Sequence, residues 1–152
     1  AETSERSNTK LLRERLLIER AAAARFVPLY LPYSEPEEGL TELSQSCRYV
    51  LPISVLLLGV GVDMHTASLF PDADRLDEAL SPDAPILLPM RAKGTNEPSI
   101  PLTAPVLNGA IKKHLVIFGD EKSNAFAAAK SLPAKDAPVR AIMEDLIVHW
   151  AP

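Results

Sequence analysis

The sequence predicts an α/β fold, in which a Rossmann-like, mostly parallel sheet is flanked by helices. Short apolar runs alternate along the 152 residues with segments of helical pattern, and that alternation is typical of a parallel sheet. The run over residues 53–58 is almost wholly apolar, as expected for a strand covered on both faces and paired on both sides. We therefore expect residues 1–152 to form a single domain with its ligand site at the carboxyl edge of the sheet.

Three elements are predicted before this central strand. Residues 9–17 are predicted to form a helix that Ser7 or Asn8 can cap, with a stripe of four leucines along it. Residues 25–31 are rich in apolar side chains and predict a strand. Residues 36–47 predict a second helix, because a proline and two acids begin it.

The remaining elements continue the alternation after the central strand. We predict helices over residues 72–80, 103–110, 120–132 and 138–143, and strands over residues 86–91, 114–118 and 146–150. A loop over residues 92–98 separates two of them. We find no internal repeat and no low-complexity segment in the sequence.

Composition and charge narrow the class of protein. Apolar residues make up 47% of the chain and charged residues 24%, and the net charge is −4, so we expect no nucleic-acid partner. The sequence has no apolar run of membrane-spanning length, and residues 1–10 are polar rather than signal-like. Cys47 is the one cysteine of the sequence, which excludes an internal disulfide and suits a reducing compartment. We expect a cytoplasmic protein with no membrane partner.

An acid and an imidazole follow the central strand and two glycines. Asp63 and His65 come directly after Gly59 and Gly61, at the strand end where α/β proteins place their ligands. His65 is the candidate general base, because imidazole titrates near neutral pH. The alternative is a histidine that only hydrogen-bonds the turn. Asp63 would orient His65 or hold substrate hydroxyls, or form an Asx turn or helix cap.

Two hydroxyls follow the histidine and are the other candidate nucleophiles. Thr66 and Ser68 lie close to His65 in sequence, but the G-x-S-x-G elbow of serine hydrolases is absent. We interpret both hydroxyls as caps or turn formers. The reaction at this site is therefore expected to use water rather than a covalent intermediate.

The same residues carry a resemblance to a known family. The run GVGVDMHTASLFP over residues 59–71 resembles the signature of the 6-phosphogluconolactonases, within the glucosamine-6-phosphate isomerase/6-phosphogluconolactonase family. It departs at Met64, where glycine is usual, and at Val62, where an acid is frequent. The deaminases of the family share the D-x-H core but continue toward an asparagine-glutamate-proline, whereas this chain continues Thr66 to Pro71.

The resemblance implies a set of substrate-binding residues. Lys122, in the first turn of the helix after the second apolar strand, would bind the substrate phosphate. The family usually has an arginine where this chain has Ser99, and we leave open whether Arg91, Lys93 or Arg140 replaces it. Asn8 and Gly61 are further candidates for contact with the substrate. Asn108 either caps a turn or touches the substrate, and we interpret His114 and His149 as structural.

The resemblance also implies that the family domain is longer than this chain. Its opening region carries a glycine-threonine-proline loop and a strand before the helix that begins at Ser7-Asn8. We therefore expect the chain to be the C-terminal two thirds of the domain, incomplete at the N-terminus. Such a fragment would be poorly stable or would pair with another chain through exposed apolar surface.

The function implied by the resemblance is hydrolysis of 6-phospho-D-glucono-1,5-lactone to 6-phosphogluconate in the oxidative pentose phosphate pathway. His65 would activate the attacking water, without metal or cofactor. The partner is then a small sugar-phosphate lactone, and the protein a monomer or homodimer. Two alternatives stay open: a sugar-phosphate isomerase resembling glucosamine-6-phosphate deaminase, and a truncated fragment without catalytic activity.

Overall fold

The computed structural model describes Ser4, residues 7–93, Thr95 and residues 97–152. Its helices are α1 (Asn8–Arg15), α2 (Leu40–Arg48), α3 (Leu76–Leu80), α4 (Ala104–Asn108) and α5 (Asp120–Ala129). Its strands are β1 (Val55–Gly59), β2 (Lys112–Phe118) and β3 (Leu146–Ala151). Short 3₁₀ helices cover Glu19–Ala23, Pro36–Gly39 and Pro138–Ile142. Helical segments separate the three strands, with α3 and α4 between β1 and β2 and with α5 and Pro138–Ile142 between β2 and β3.

The three strands form one parallel sheet in the order β1-β2-β3. Leu58 of β1 pairs with Leu115 of β2, and Leu115 pairs with Val148 of β3. The prediction of an α/β fold with a parallel sheet and flanking helices is therefore confirmed. Because the strands are parallel, the residues that follow β1 and β2 lie at the same edge of the sheet.

One face of the sheet carries the hydrophobic core. Leu58, Leu115 and Ile117 are at most 7% exposed and pack in the same cluster as residues of four helical segments. These are Leu76 and Ala79 of α3, Leu107 of α4, Phe126 and Ala129 of α5, and Val139 and Ile142 of the Pro138–Ile142 segment. Burial of this apolar surface fixes the helices against the sheet. It also fixes the loops that run between them.

The other face of the sheet, which we call the open face, is apolar and exposed. Val55, Leu57, Phe118 and Ile147 are between 45% and 69% exposed. Among the described residues β1 pairs with β2 alone. The expectation that the central strand is covered on both faces and paired on both sides is therefore wrong for the part of the chain that the structure describes.

Two of the predicted strands are also wrong, for the same physical reason. Residues 25–31 are irregular, and residues 86–91 make only isolated antiparallel bridges, from Leu87 to Leu102 and from Met90 to Ser99. Pro28 interrupts the first segment and Pro89 the second. Proline has no N–H to donate to a sheet ladder, so neither run can form a continuous central strand.

The first helix begins as predicted, but its apolar stripe is exposed. The Ser7 hydroxyl accepts a hydrogen bond from the Lys10 N–H at 3.3 Å and caps α1. Leu11 and Leu16 are more than half exposed. Helix α2 is different, because its Leu43 and Cys47 pack against Leu87 in a second, smaller cluster.

Candidate active site

The loop over residues 59–69, which we call the site loop, begins where β1 ends. The hydroxyl of buried Thr66 donates to the Gly59 carbonyl at 2.8 Å. The Leu69 N–H donates to the Thr66 carbonyl, also at 2.8 Å, and Leu69 is fully buried. These bonds close the loop against the core. They also occupy the Thr66 hydroxyl, in agreement with the prediction that it forms a turn rather than attacking a substrate.

Asp63 and His65 form a close pair inside the site loop. The Nδ1 of His65 lies 2.5 Å from Oδ1 of Asp63, and the His65 N–H donates to the same oxygen at 3.2 Å. Asp63 therefore both makes an Asx turn and orients the imidazole. An ionised carboxylate can only accept hydrogen bonds, so Nδ1 of His65 is the donor in this bond, and in the neutral tautomer that makes it Nε2 carries no hydrogen. The His65 side chain is 34% exposed, so solvent reaches part of the ring.

Gly61 is required in the site loop because of space rather than backbone conformation. A Cβ built on Gly61 would overlap Oδ1 of Asp63 and the ring of His65. The Gly61 N–H also donates to the His65 carbonyl at 3.0 Å. The glycine therefore lets the acid–imidazole pair fold back onto the end of the strand.

Met64 stands between the acid and the imidazole in a conformation that glycine favours. Its φ is 65°, in the left-handed region, which costs a residue with a Cβ about 1–2 kcal/mol. Its side chain packs against the main core cluster. Its N–H donates to the Gly61 carbonyl and its carbonyl accepts from the Val139 N–H, both at 3.0 Å. These contacts hold the strained residue in place.

The ring of Phe70, which is not among the predicted site residues, lies against the imidazole of His65. The rings of Phe70 and His65 lie 4.5 Å apart, centroid to centroid, at an interplanar angle of 34°. Contact with an aromatic ring limits the movement of the imidazole. The one sequence signal for Phe70 was its place in the run that carries the resemblance.

Asn8 lies near the site loop, across a cavity. The cavity is 460 Å³ and is lined by Ser7 and Asn8 at the start of α1, by Phe26 and by Ser68 of the site loop. Ser68 has φ 62° and lines this cavity together with Asn8. Asn8 and Ser68 therefore border one cavity, which Asp63 and His65 do not line.

Lys122 lies at the same edge of the sheet as the site loop. It lines a hollow that is different from the cavity shared by Asn8 and Ser68. It follows β2 in the first turn of α5, and its hollow of 470 Å³ is lined by Val60, Val116 and Phe118. Val60 directly precedes Gly61 of the site loop. Asp63 and His65 do not line this hollow. The role of Lys122 in phosphate binding stays a prediction.

Arg91 and Arg140 are two of the three basic residues that could replace the arginine expected at Ser99, and they have different surroundings in the structure. The Arg91 guanidinium donates to Glu37 at 2.8 Å and to Glu35 at 3.2 Å. The hydrogen bond from Arg91 lowers the pKa of the Glu37 carboxyl below its ordinary value. Arg91 therefore joins two segments of the chain. Arg140 is exposed and directly follows Val139, whose N–H binds Met64, so it lies beside the site loop.

Asn108 has a structural role. Its side-chain amide donates to the Ala141 carbonyl at 2.8 Å, and its oxygen accepts from the ammonium of Lys113 at 3.0 Å. Lys113 is only 5% exposed. Asn108 therefore joins α4, β2 and the Pro138–Ile142 segment, and it satisfies a buried cation.

The two other histidines of the sequence lie against each other. His114 and His149 lie on neighbouring strands with Nδ1 of the first 2.9 Å from Nε2 of the second, a pairing that suits a structural role. Within the described ranges, no group of three or more histidine, cysteine or carboxylate side chains could hold a metal ion. None of the described helices combines the length and apolar character needed to cross a membrane.

The sequence matches one protein family over nearly its whole length. Residues 1–150 match the family described as glucosamine-6-phosphate isomerases/6-phosphogluconolactonase. A 6-phosphogluconolactonase of Mesorhizobium japonicum is 40% identical over 99% of this chain and 65% of that protein. A 6-phosphogluconolactonase of Pseudomonas aeruginosa is 40% identical over 96% of this chain and 63% of that protein. The chain thus spans slightly less than two thirds of the length of these relatives.

Solved structures show the same fold. The crystal structure of a 6-phosphogluconolactonase from Shewanella baltica superposes with a TM-score of 0.92 at 27% identity, over 98% of this chain and 66% of that one. A putative 6-phosphogluconolactonase from Neisseria gonorrhoeae gives 0.83 at 26% identity, over 98% of this chain and 67% of that one.

Proposed function

The chain belongs to the family of glucosamine-6-phosphate isomerases and 6-phosphogluconolactonases, and from this premise we propose that it hydrolyses 6-phospho-D-glucono-1,5-lactone to 6-phosphogluconate, a step of the oxidative pentose phosphate pathway. The observation that carries the proposal is the 2.5 Å pair of Asp63 and His65 at the carboxyl end of β1. The 6-phosphogluconolactonases matched at 40% identity support the choice of substrate.

The proposed chemistry is attack of water on the lactone carbonyl. Nε2 of His65 takes a proton from the water as its oxygen bonds to C1. The C1–O bond of the ring then breaks, and the proton on Nε2 passes to the departing ring oxygen. Asp63 holds Nδ1–H throughout and stabilises the charged imidazolium that forms between the two steps. The reaction consumes one water and leaves a carboxylic acid and a hydroxyl, with no covalent enzyme intermediate.

The phosphate and hydroxyls of the substrate would be held by groups around the site loop. Arg140 and Lys122 are the cations we assign to the phosphate, since both are exposed, Lys122 shares a hollow with Val60 of the site loop, and Arg140 follows Val139, which binds Met64. Arg91 is not assigned, because Glu35 and Glu37 already bind it. Asn8 would face the substrate across the cavity that it shares with Ser68.

The mechanism is tested by comparing two neighbouring substitutions. His65→Ala should lower kcat for lactone hydrolysis by roughly two to four orders of magnitude, the usual contribution of a general base. Ser68→Ala should lower it far less, because Ser68 is not a nucleophile in this mechanism. Rates must be corrected for spontaneous hydrolysis of the lactone. A Ser68→Ala variant as inactive as His65→Ala, together with an acyl-enzyme detected by mass spectrometry of quenched wild type, would refute water attack.

We further propose that these residues act as one domain in the cytoplasm, as a monomer or homodimer. A single cysteine that is buried is compatible with a reducing compartment.

The rival function is a chain that associates with another chain but has no catalytic activity. The exposed apolar side chains of the open face favour this rival. Measuring lactonase activity of the 152-residue chain beside a version extended at its N-terminus separates the two. Activity in the extended form alone would favour the rival.

A further inference from the structure

The hydrogen bond to Asp63 fixes only one atom of the His65 imidazole. Nδ1 lies 2.5 Å from Oδ1 of Asp63, whereas Nε2, the other ring nitrogen, takes the proton from water in the proposed reaction. The torsion that turns an imidazole about its Cβ–Cγ bond has a broad energy profile. One hydrogen bond therefore leaves the plane of the ring able to tilt, and a second contact is needed to fix the direction of Nε2.

The ring of Phe70 supplies this second contact. Its centroid lies 4.5 Å from the centroid of the imidazole, and the two ring planes are inclined by 34°. Aromatic pairs have centroids roughly 4.5–7 Å apart, so these rings are as close as such pairs come. The imidazole cannot tilt toward Phe70 without overlap, and tilting away loses the attraction between the two rings.

Phe70 is itself held by groups outside the Asp63–His65 pair. The preceding residue, Leu69, is fully buried, and its N–H donates to the Thr66 carbonyl at 2.8 Å. The Phe70 carbonyl accepts a hydrogen bond from the Ala73 N–H at 3.3 Å. The following residue, Pro71, restricts the backbone of Phe70. The aromatic ring is therefore carried by a segment that the core and the proline hold in place.

We propose that Phe70 is a positioning residue, which fixes the plane of the His65 imidazole and with it the direction of Nε2. Asp63 holds one atom of the imidazole, and Phe70 holds its plane. A base contributes fully to the rate only when its lone pair points at the proton that it removes, so a tilted imidazole lowers kcat. The effect on kcat rests on the proposed function, whereas the order of the imidazole does not.

Three substitutions separate the flat ring from apolar bulk and from general stability. Phe70→Leu keeps an apolar side chain but removes the ring, and Phe70→Tyr keeps the ring. Phe126→Leu is the matched control, because Phe126 is buried at 9% exposure in the main core cluster. For 6-phospho-D-glucono-1,5-lactone, we expect Phe70→Leu to lower kcat roughly ten- to a hundredfold, as for a displaced catalytic group, and to keep KM within about threefold. Phe70→Tyr and Phe126→Leu should keep kcat within about threefold of wild type, although Phe126→Leu should melt at a lower temperature. Phe70→Met, which also lacks a ring, replaces Phe70→Leu if that variant does not fold.

The imidazole spectrum of His65 makes the test independent of activity. The ring signals are recorded by ¹H–¹⁵N NMR and assigned by their loss in His65→Ala. Removal of the Phe70 ring shifts these signals in any case, so the number and width of the lines are compared. Wild type, Phe70→Tyr and Phe126→Leu should show one narrow set, and Phe70→Leu a broadened or multiple set.

Several results would overturn the proposal. One is a Phe70→Leu variant with the kcat of wild type or with one narrow set of His65 signals. A change confined to KM would instead make Phe70 a substrate contact, and an equal loss of kcat in Phe126→Leu would reduce the effect to general destabilisation. Absence of lactonase activity in wild type would overturn the proposed function, and the line shapes of His65 would still decide whether Phe70 orders the imidazole.

Discussion

The substitution Gly61→Ala should inactivate the site while leaving the fold intact. A methyl group at this position would overlap both Oδ1 of Asp63 and the ring of His65. Carbon makes favourable contacts at about 3.5–4.0 Å, so the pair would have to move by roughly 1 Å or more. The rest of the loop is held by Thr66 and Leu69 and cannot move with it.

The magnitude of the effect follows from this displacement. A misplacement of about 1 Å can cost roughly a hundredfold in rate, which corresponds to about 2.7 kcal/mol of activation free energy. We therefore expect kcat/KM of Gly61→Ala for the lactone to fall about a hundredfold. Overpacking of this kind lowers the free energy of unfolding by about 1–3 kcal/mol. The protein should therefore remain folded at 25 °C if its stability is ordinary.

A neighbouring glycine provides the matched control. A Cβ built on Gly59 meets no described atom within 4 Å, and its backbone is that of a strand residue. Gly59→Ala should therefore keep kcat/KM within about threefold of wild type, since it creates no overlap. Hydrolysis of the lactone is followed for both variants with the spontaneous rate subtracted, and thermal unfolding is measured in parallel. If Gly61→Ala is as active as Gly59→Ala, the crowded geometry deduced for Asp63 and His65 is incorrect.

Three further predictions concern groups outside the pair. Asn108→Ala should lower the free energy of unfolding by about 1–3 kcal/mol in urea melts, because it leaves the buried Lys113 ammonium without its partner. Burial raises the pKa of the Cys47 thiol, so iodoacetamide near neutral pH should modify it slowly until the protein unfolds. The hydrogen bond from Arg91 is the chief cause that lowers the pKa of the Glu37 carboxyl. The Glu37 carboxylate therefore stabilises the fold above the ordinary carboxyl pKa of 4.5. This stabilisation is lost as the pH falls through the lower pKa of the folded state. Glu37→Gln should make the melting temperature less dependent on pH in that acid range.

Each of these has an outcome that contradicts it. Unfolding of Asn108→Ala at the wild-type urea midpoint would show that Lys113 finds another partner. Rapid alkylation of Cys47 in folded protein would place it at the surface. An acid melting curve that is identical for wild type and Glu37→Gln would mean that the pairing with Arg91 does not contribute to stability.

The fold could be predicted largely from hydrophobic patterning. The strands found at Val55–Gly59, Lys112–Phe118 and Leu146–Ala151 all fall on predicted apolar runs, because a parallel strand packed on a core is apolar along its length. Residues 25–31 and 86–91 have similar composition but contain an internal proline. Their apolar composition predicts two strands, whereas the position of the proline in each segment argues against a continuous strand.

The site could be predicted in part. Asp63 and His65 stand out in sequence because they follow a strand and two glycines, and the structure places them as a hydrogen-bonded pair. The conformation of Met64 could not be predicted, since it combines a positive φ with a hydrogen bond from Val139, which lies far along the chain. Likewise, Arg91 was a candidate for the phosphate until the structure showed it bound to Glu37, a contact between residues 54 positions apart.

The backbone at Met64 also explains one departure from the family signature. At φ 65° the residue occupies a region where glycine is unstrained, which is the residue that the resemblance leads one to expect there. The methionine is accommodated because its side chain packs on the core. A departure in sequence at this point therefore does not imply a different loop conformation.

The assignment of lactone hydrolysis is tested by comparing two substrates of the family. Purified protein is given 6-phospho-D-glucono-1,5-lactone, with hydrolysis followed above the spontaneous rate, and separately glucosamine 6-phosphate, with release of ammonia followed. His65→Ala is carried through both assays. We predict accelerated lactone hydrolysis that His65→Ala abolishes, and no release of ammonia. Release of ammonia from glucosamine 6-phosphate that His65→Ala abolishes, without acceleration of lactone hydrolysis, would refute the lactonase assignment and identify a deaminase that uses the same acid–imidazole pair.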